Sequence, residues 1–400
     1  MPVPLDTIRD AFPALESGFA FLENAGGSQV PRSVIEAMGR FMTESYVQTG
    51  AGYPHSDRAT AIQQQARLFV GTLVGAGDSD AVVMGQSSTL LLNRLAASIG
   101  DALGIGADDE VVVSTANHES HVGPWARWEK RGATIRWWRG DPVTGVPTLA
   151  GLLPLLGEAT RVVAFSWTSN LLGDIQPVAE IVRSVRAKAP NARVIVDAVA
   201  YAPHRRIAFA ECGADALVFS AYKVYGPHQA YLVVRGDLAA TLQGENHFFL
   251  PNRLPYAFEL GCQSYEACAG VVALGEYCSA TFGGVAEAFD SFAANEEPLQ
   301  RMLVDYLRSK SDVRVVGPAT GDPATRVATI SFVHASRPSA EIAARAHQAG
   351  IGIRNGHMYA YRLCEELGIR TDDGVVRVSA VHYNSPDEIK RLIEALDPIL

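Results

Sequence analysis

Cysteine is scarce in this sequence, and its placement argues against two kinds of site. The 400-residue chain has five cysteines, and no two of them form a CxxC pair. An odd, scattered set disfavours both a disulfide framework and a structural zinc site. We therefore expect a protein of a reducing compartment, the cytoplasm.

Long apolar runs and an excess of basic charge are missing too. No window of about 18 apolar residues occurs, and Asp6, Arg9 and Asp10 lie where a signal peptide would be apolar. The net charge of −9, from 43 acidic and 34 basic residues, argues against the basic face of a general nucleic-acid binder. The sequence thus predicts no membrane span, no signal peptide and no nucleic-acid partner.

Common phosphate and metal motifs are also lacking. Neither GxxxxGK[ST] nor a GxGxxG that follows a strand occurs in the chain. His118 and His121 have an H-x-x-H spacing in "HESH", but no cluster of further ligands accompanies them. We expect no nucleotide-binding loop and no metal site.

Short β-branched runs alternate with helical patterns over the first two thirds of the chain. Hydrophobic residues make up 48% of the sequence, and its length predicts two or three domains. Continuous apolar strands that alternate with helices indicate a largely parallel α/β sheet that is covered on both faces. The predicted strands are 81–85, 109–115, 133–138, 160–167, 192–199, 216–221 and 230–235, and the predicted helices are 58–74, 88–103, 119–131 and 176–189.

After about residue 265 the pattern changes to that of a smaller α+β domain. A long helical pattern covers 265–309 and is followed by shorter elements. The predicted strands there are 312–318, 326–334, 350–354 and 374–384, with helices at 338–349 and 386–397. We predict a large sheet domain over residues 21–275 and a small α+β domain formed by residues 1–20 and 276–400.

Polar residues cluster at the ends of five predicted strands, where parallel sheets bind ligands. One strand ends in "GQSS" (85–88), which is either an anion site at a helix N-terminus or an ordinary serine N-cap. Two others end at Asp197 and just before Lys223, in "RVIVD" and "SAYKVYGPH". Because apolar residues flank Lys223, an ammonium there would lose hydration. A plain salt bridge between Asp197 and Lys223 is the alternative explanation.

These motifs, in their order and spacing, resemble class V aminotransferases, and most of all their cysteine-desulfurase-like branch. The matching segments are "FLENAGGSQVP", "GQSSTLLL", "NHESHVGPW", "SNLLGDIQP", "VDAVAYAPH", "SAYKVYGPH" and "VRVSAVHYNSPDEI", from about residue 20 to the C-terminus. The resemblance implies pyridoxal 5'-phosphate (PLP) as cofactor and the α/β architecture of PLP fold-type I, which is aspartate-aminotransferase-like. It also implies a homodimer with active sites at its interface and a small amino acid as substrate.

The resemblance further implies a role for each matching residue. Lys223 would form the Schiff base with PLP and, once freed, act as general base. Asp197 would keep the pyridine nitrogen protonated, His118 would lie over the ring, and Asn170 would hydrogen-bond the 3′-oxygen. The residues implied for the phosphate are Gln86, Ser87, Ser88, Ser220, Tyr222 and, reaching into the partner subunit, Cys262 and Gln263. The residues implied for the substrate are Arg377, which would grip its carboxylate, together with Asn24, Ala25, Gly26, His357 and Tyr359.

Three positions depart from the desulfurase pattern. Tyr359, in "IRNGHMYAYRL", stands where the related loop carries a nucleophilic cysteine, and a phenol cannot accept sulfur as a thiolate does. Cys364 follows five residues later and is interpreted as a packing residue. Ala200 replaces a glutamine near the 3′-oxygen. Cys262 replaces a threonine, either as a weaker phosphate ligand or as a small apolar substitute.

Without that cysteine, the resemblance favours a PLP-dependent lyase over a persulfide-forming desulfurase. We expect β-elimination from an S-substituted L-cysteine or its sulfoxide, which needs Lys223, Asp197 and Arg377 but no catalytic thiol. Transamination, epimerisation, and decarboxylation with oxidative deamination use the same residues and remain alternatives. A binding module without activity is disfavoured, because Lys223, Asp197, His118 and Asn170 all occur together.

Overall fold

The strands of the protein fall into two main groups along the chain. The structure is a computed structural model that describes residues 3–400. Its strands are β1 (Ala20–Phe21), β2 (Ala81–Gly85), β3 (Glu110–Ser114), β4 (Thr134–Trp138), β5 (Thr160–Ser166), β6 (Arg193–Asp197), β7 (Ala216–Ser220), β8 (Ala230–Val234), β9 (Val313–Val316), β10 (Thr329–His334), β11 (Ile351–Gly352), β12 (Arg354–Gly356) and β13 (Val375–Ser379).

Helices separate most of these strands. They are α1 (Leu5–Asp10), α2 (Arg32–Glu44), α3 (Pro54–Val74), α4 (Ser88–Ala102), α5 (Gly123–Ala126), α6 (Leu149–Leu152), α7 (Val178–Lys188), α8 (Phe209–Cys212), α9 (Gly236–Ala239), α10 (Tyr265–Phe282), α11 (Val285–Arg308), α12 (Ser339–Gln348), α13 (Tyr361–Glu366) and α14 (Pro386–Leu396). Short 3-10 turns occur at Pro13–Ser17, Glu119–His121, Arg127–Arg131, Leu153–Leu155 and Ala221–Lys223.

A seven-stranded sheet forms the centre of the larger part of the molecule. Its order is β2-β8-β7-β6-β5-β3-β4, and β8 is the one strand of this sheet that runs antiparallel to its neighbours. Along β5, Val163 and Phe165 join one buried apolar cluster while Val162 and Ala164 join the cluster on the opposite face. Both faces are therefore covered, as continuous apolar strands require. The predicted α/β fold class is confirmed.

A second sheet lies in the C-terminal part of the chain. Strands β12, β13, β10 and β9 pair antiparallel in that order, and β1 pairs parallel with β11. Their buried residues form an apolar cluster together with α11, α12 and α14. The division into domains at residues 20/21 and 275/276 stays a prediction, and residues 1 and 2 of its first segment lie outside the described residues.

Two long helices predicted from sequence are interrupted in the structure. The segment predicted as a helix over 119–131 contains Gly123-Pro124 and forms three short turns, since proline lacks an N–H and clashes with the preceding turn. The segment over 265–309 breaks at Gly283-Gly284, between α10 and α11. Between residues 3 and 400 no single helix is long and apolar enough to cross a membrane. The α10–α11 pair passes by length and composition together, but it is bent by 70°.

Gly173 closes a tight turn that fixes the segment after β5. It has a φ of +70°, and its N–H donates to the Ser169 carbonyl at 2.9 Å. A Cβ at this position would lie 2.0 Å from the carbonyl oxygen of Thr329, on β10. The turn therefore brings the residues before it, including Asn170, against the second sheet, and only glycine fits there.

We expect Gly173→Ala to lower the free energy of unfolding by about 2–4 kcal/mol, because the new methyl group meets the β10 backbone in a left-handed residue. Urea denaturation followed by circular dichroism measures the change. Gly157→Ala is the matched control, since a Cβ at Gly157 meets no atom within 4 Å. Equal stabilities for the two variants would contradict the close approach of this turn to β10.

Candidate active site

A cavity opens at the carboxyl ends of β5, β6 and β7, beside the N-terminus of α4. Eight of the residues predicted from the sequence line it, and they come from five separate motifs. These residues are Ser87, Ser88, His118, Asn170, Asp197, Ser220, Tyr222 and Lys223. The strand-end rule thus predicted which of these residues meet in one cavity.

Lys223 lies in this cavity, at the end of the 3-10 turn Ala221–Lys223 that follows β7. Only 8% of its surface is exposed. Burial and the positive charge of Arg377 together lower the pKa of the amine from 10.5 to about 8, against opposing effects of Asp197 and Glu23. About a tenth of the amine is therefore neutral at pH 7, and a neutral amine is a nucleophile and a base.

Asp197 ends β6 in the same cavity. Its Oδ1 accepts a hydrogen bond from the Val199 N–H at 2.8 Å, and burial raises the pKa of the carboxyl to about 6, against the Val199 bond and the charge of Lys223. Among the described residues no ion pair within 4.0 Å joins Asp197 to Lys223. The simple salt bridge is therefore not the arrangement found, and the two groups are held apart in one cavity.

Tyr225 holds the lysine turn in a strained conformation. Its φ is +61°, unusual for a residue with a large side chain. The hydroxyl donates to the Pro203 carbonyl at 2.7 Å, and the N–H donates to Ser28 Oγ at 2.9 Å. The ring packs edge-on against His382 with centroids 4.4 Å apart. These contacts tie the backbone beside Lys223 to three other segments and compensate for the strain.

His118 is a neutral side chain at the edge of the cavity. Burial lowers the pKa of its imidazole to about 4, and the charges of Lys223 and Arg377 add to the effect. Its Nδ1 lies 2.7 Å from Ser120 Oγ. The ring faces Tyr359, with centroids 5.0 Å apart and planes at 30°. An uncharged, oriented ring of this kind suits stacking on a flat cofactor.

The turn that carries Tyr359 is anchored on both sides. Met358 and Tyr359 have φ values of +50° and +61°, so two successive non-glycine residues are left-handed. Asn170 Nδ2 donates to the Met358 carbonyl at 2.7 Å, and the Glu119 N–H donates to the Tyr359 carbonyl at 2.8 Å. His357 Nδ1 accepts from the N–H of Tyr359 at 3.1 Å. The phenol at the position of the expected thiol is therefore held in a fixed turn.

Arg377 lies on β13 and is 3% exposed. Its Nη1 donates to the Asn170 carbonyl at 3.0 Å, while its Nε has no hydrogen-bond partner in the part of the chain that the structure describes. Burial lowers the pKa of the guanidinium to about 10, which leaves it cationic at neutral pH. Its cross-strand neighbour Arg354 is satisfied by Glu23 at 3.1 Å. A buried guanidinium with a free N–H suits a carboxylate.

The serines at the start of α4 do two different things. Ser87 caps the helix by accepting a hydrogen bond from the Leu90 N–H at 3.2 Å. Ser88 Oγ lies 2.8 Å from Ser220 Oγ, at the end of β7. The N-cap interpretation of this segment is confirmed for Ser87. The hydroxyls of Ser88 and Ser220 lie beside the N-terminus of α4, where an anion is favoured.

Nine predicted residues do not line this cavity, and three of them lie in a neighbouring depression. Gln86, Cys262 and Gln263 line that depression. Cys262 is exposed, and Gln48 Nε2 donates to its Sγ at 3.3 Å. Their predicted contacts with the phosphate, of this or a partner subunit, stay predictions.

Asn24 is occupied by contacts within the protein. Its Nδ2 donates to the carbonyls of Phe21 and Ser379, both at 2.8 Å, and to Asn384 Oδ1 at 3.1 Å. Its Oδ1 accepts from the hydroxyl of Tyr383. The side chain thus fastens the loop after β1 to the segment after β13, and its predicted substrate contact stays a prediction.

Backbone contacts fix the next two predicted residues. The N–H of Ala25 donates to Ser379 Oγ at 2.7 Å, and that of Gly26 donates to the Glu23 carbonyl at 2.9 Å. These bonds shape the loop near Arg377, whose charge Glu23 partly offsets. Direct contact of Ala25 and Gly26 with a substrate stays a prediction.

Sequence reasoning missed several residues that line the cavity. They are Thr89, Ser120, Ser166, Thr168 and Val199. Thr89, Ser120 and Val199 lie inside motifs that the sequence singled out, and Ser166 and Thr168 shortly precede another. Their proximity in the chain was a signal, but a loop has no regular alternation that would reveal which side chains point into the cavity.

Comparison with known proteins identifies the family. The family model for class-V aminotransferases matches residues 20–392. The chain belongs to this family. The aminotransferase-like protein FGM3 of Gibberella zeae is 37% identical over 99% of this chain and 98% of its own length. The cysteine desulfurase-like protein ustD of Aspergillus flavus is 31% identical over 100% of this chain and 91% of its own length.

Solved structures agree on the fold. An apo cysteine desulfurase from Thermococcus onnurineus superposes with a TM-score of 0.89 at 24% identity, over 100% of this chain and 98% of that chain. At this identity the likeness concerns the fold alone, and it confirms the fold-type I architecture. The family places this class-V aminotransferase among PLP-dependent enzymes.

The cavity of this family member fits PLP. It offers a partly neutral lysine for an aldehyde, a buried carboxylate for a pyridine nitrogen, and hydroxyls at a helix N-terminus for a phosphate. Two polar atoms that line it, Thr168 Oγ1 and Asn170 Oδ1, are buried without a hydrogen-bond partner anywhere in residues 3–400. Such atoms are expected where a polar ligand completes the site.

In the cofactor-free protein we expect the Lys223 amine to become reactive towards acetic anhydride with a midpoint near pH 8, since its pKa is lowered to about 8 and only the neutral amine reacts. Competitive labelling across pH, read by mass spectrometry, measures the midpoint. The exposed Lys188, in the same digest, is the internal reference. A midpoint for Lys223 at its ordinary 10.5 would contradict its desolvation.

Proposed function

We propose that this member of the class-V aminotransferase family is a lyase that cleaves the C–S bond of an S-substituted L-cysteine, or its sulfoxide, by β-elimination. One observation carries the choice over persulfide formation: the position of the expected thiol is a phenol in an anchored turn. Cys364, the nearest cysteine in sequence, is fully buried on α13, and burial raises the pKa of its thiol to about 11. Neither residue is a thiolate that could accept sulfur.

The proposed assignment for PLP uses the residues around the cavity. Lys223 would bind the aldehyde covalently, Asp197 the pyridine nitrogen, and Asn170 the 3′-oxygen, with His118 over the ring. The proposed phosphate ligands are Gln86, Ser87, Ser88, Ser220 and Tyr222, with Cys262 and Gln263 contributed by a second copy in a homodimer. When bound in this way, PLP withdraws electrons from the substrate Cα and makes its proton acidic.

The chain's own residues would then do three things. Arg377 binds the substrate carboxylate and so orients the Cα–H bond. Lys223, whose lowered pKa leaves part of it neutral, takes the Cα proton. Asp197, ionised above about pH 6, keeps a proton at the pyridine nitrogen. The sulfur group leaves Cβ with the bonding electron pair, as a thiolate from an S-substituted cysteine or as a sulfenate from its sulfoxide, and hydrolysis of the remainder gives pyruvate and ammonia.

Transamination, epimerisation and decarboxylation with oxidative deamination remain the second candidate. The observation in their favour is that Lys223, Asp197 and Arg377 serve every reaction that begins at Cα. Tyr359, which is 62% exposed, adds no group that would favour one of these reactions over another.

We expect the purified, PLP-loaded protein to release pyruvate and ammonia from S-alkyl cysteines, measured with coupled lactate dehydrogenase and an ammonia assay. Lys223→Ala is the control and should abolish both the product and the absorbance of the lysine–cofactor link. L-Cysteine should leave no persulfide on the protein. The panel should include amino acids with neutral and acidic side chains, with mass analysis of products and of deuterium uptake at Cα. No elimination from any cysteine conjugate would reject the lyase assignment.

Arg377→Lys tests the carboxylate contact. We expect kcat/KM to fall about ten- to hundredfold, mostly through KM, since a charge-assisted bidentate contact is lost. Arg354→Lys is the matched control on the neighbouring strand and should change kcat/KM little, because Arg354 pairs with Glu23 in an exposed ion pair. Steady-state kinetics of both variants on one substrate decide the matter; an unchanged KM in Arg377→Lys argues against the contact.

A further inference from the structure

Thr168 carries a buried hydroxyl that nothing in the described chain satisfies. It stands between the end of β5 and Asn170, in "SWTSN", and lines the cavity that contains Lys223. The residue is 2% exposed, and its Oγ1 has no hydrogen-bond partner within residues 3–400. Burial of a hydroxyl without a partner costs about 1–3 kcal/mol, so such a group is retained where a ligand completes it.

The neighbouring hydroxyls of the same segment are all satisfied by the protein. Ser166 Oγ donates to Asn117 Oδ1 at 3.0 Å, and Ser169 Oγ donates to the Ala116 carbonyl at 2.9 Å. Thr168 is therefore set apart from the serines on either side of it. Its hydroxyl belongs to the cavity, while theirs hold the segment in place.

Asn170 presents a second atom of this kind to the same cavity. Its Nδ2 donates to the Met358 carbonyl at 2.7 Å, but its Oδ1 is buried and has no hydrogen-bond partner among residues 3–400. A hydroxyl can donate or accept, whereas an amide oxygen only accepts. A ligand oxygen that enters the cavity can therefore accept a hydrogen bond from the Thr168 hydroxyl.

Ala200 adds no polar side chain to this cavity. It follows β6, is 9% exposed and lines the cavity together with Thr168 and Asn170. Its methyl group stands where the desulfurase pattern has a glutamine amide. The chain thus lacks one polar group in this cavity and has a different one, the threonine hydroxyl, without a partner.

We propose that the Thr168 hydroxyl binds the 3′-oxygen of PLP beside Asn170 and takes the place of the amide that Ala200 lacks. The inference rests on the proposed binding of PLP at Lys223. The 3′-oxygen is a phenolic oxygen on the ring edge that Asn170 is proposed to contact, and it accepts the hydrogen bond that the Thr168 hydroxyl can donate. Thr168 is then a cofactor-binding residue.

Thr168→Val tests this inference through two quantities that should move in opposite directions. Valine has nearly the same shape but no hydroxyl, so the cofactor-free variant should be at least as stable to urea as the wild type, because an unsatisfied group is removed. Its dissociation constant for PLP should rise about three- to tenfold, the worth of one hydrogen bond. Thr168→Ser keeps the hydroxyl and is the matched control. A hydroxyl with a purely structural role would instead lower the stability of the cofactor-free variant.

An analogue of PLP that lacks the 3′-oxygen identifies the contacted atom. The wild type should bind this analogue more weakly than PLP, and Thr168→Val should bind it as well as the wild type does. Adding Ala200→Gln to Thr168→Val should restore PLP affinity, because it supplies an amide near the 3′-oxygen, as in the desulfurase pattern. Equilibrium dissociation constants for the cofactor-free proteins are the readout, and no turnover is needed.

The outcomes separate the inference from the function on which it rests. If the wild type shows no absorbance of a lysine–cofactor link with PLP, the proposed function fails and the inference fails with it. If the wild type binds PLP and Thr168→Val binds it equally well, the inference alone is overturned. The same holds if Thr168→Val weakens binding of PLP and of the analogue by the same factor.

Discussion

The loss of water around one amine determines how this site is built. Lys223 is placed at the end of a strand in a sheet that is covered on both faces, and its lowered pKa corresponds to on the order of 3 kcal/mol against the charged form. Nearby groups adjust that penalty without cancelling it: Arg377 adds to it, and Asp197 and Glu23 reduce it from a distance. A close carboxylate would restore the ammonium ion. The separation of Asp197 from Lys223 is therefore as important to the chemistry as their presence in one cavity.

The rest of the site keeps that amine in place by means of strained backbone. Tyr225, two residues after the lysine, and the Met358–Tyr359 turn have left-handed conformations that cost of order 1–3 kcal/mol each. Each is held by hydrogen bonds from other segments: the Tyr225 hydroxyl to Pro203, and Asn170 to Met358. Asn170 also accepts from Arg377 through its backbone carbonyl. Asn170 thus connects the buried Arg377 on β13 with the Met358–Tyr359 turn, where this chain differs from the desulfurase pattern.

Much of this arrangement was predictable from the sequence because it depends on local rules. Continuous apolar runs predicted the strands of the seven-stranded sheet to within one or two residues, and polar residues at strand ends predicted that Lys223, Asp197 and His118 meet in one cavity. In the second sheet the strand predicted over 374–384 ends at Ser379, and the one predicted over 350–354 is two short strands. The broken helix over 119–131 was not predicted, since one Gly-Pro pair outweighed an otherwise helical pattern. That Thr168 lines the cavity could not be predicted either. Whether a threonine after a strand points inward depends on turns that distant contacts fix, such as that of Gly173 against β10.

The contacts of Asn24 join parts of the chain that are made at opposite ends of synthesis. Its side chain is held by Ser379, Tyr383 and Asn384, and Ser28 in the same loop binds the backbone on both sides of Lys223. The large sheet is complete by residue 234, long before those partners exist. A growing chain on the ribosome therefore lacks the contacts that hold the loop of Asn24 and Ser28 until residues 379–384 emerge. The lysine turn can form its Pro203 contact early, but the loop that places Ser28 against it is fastened only late.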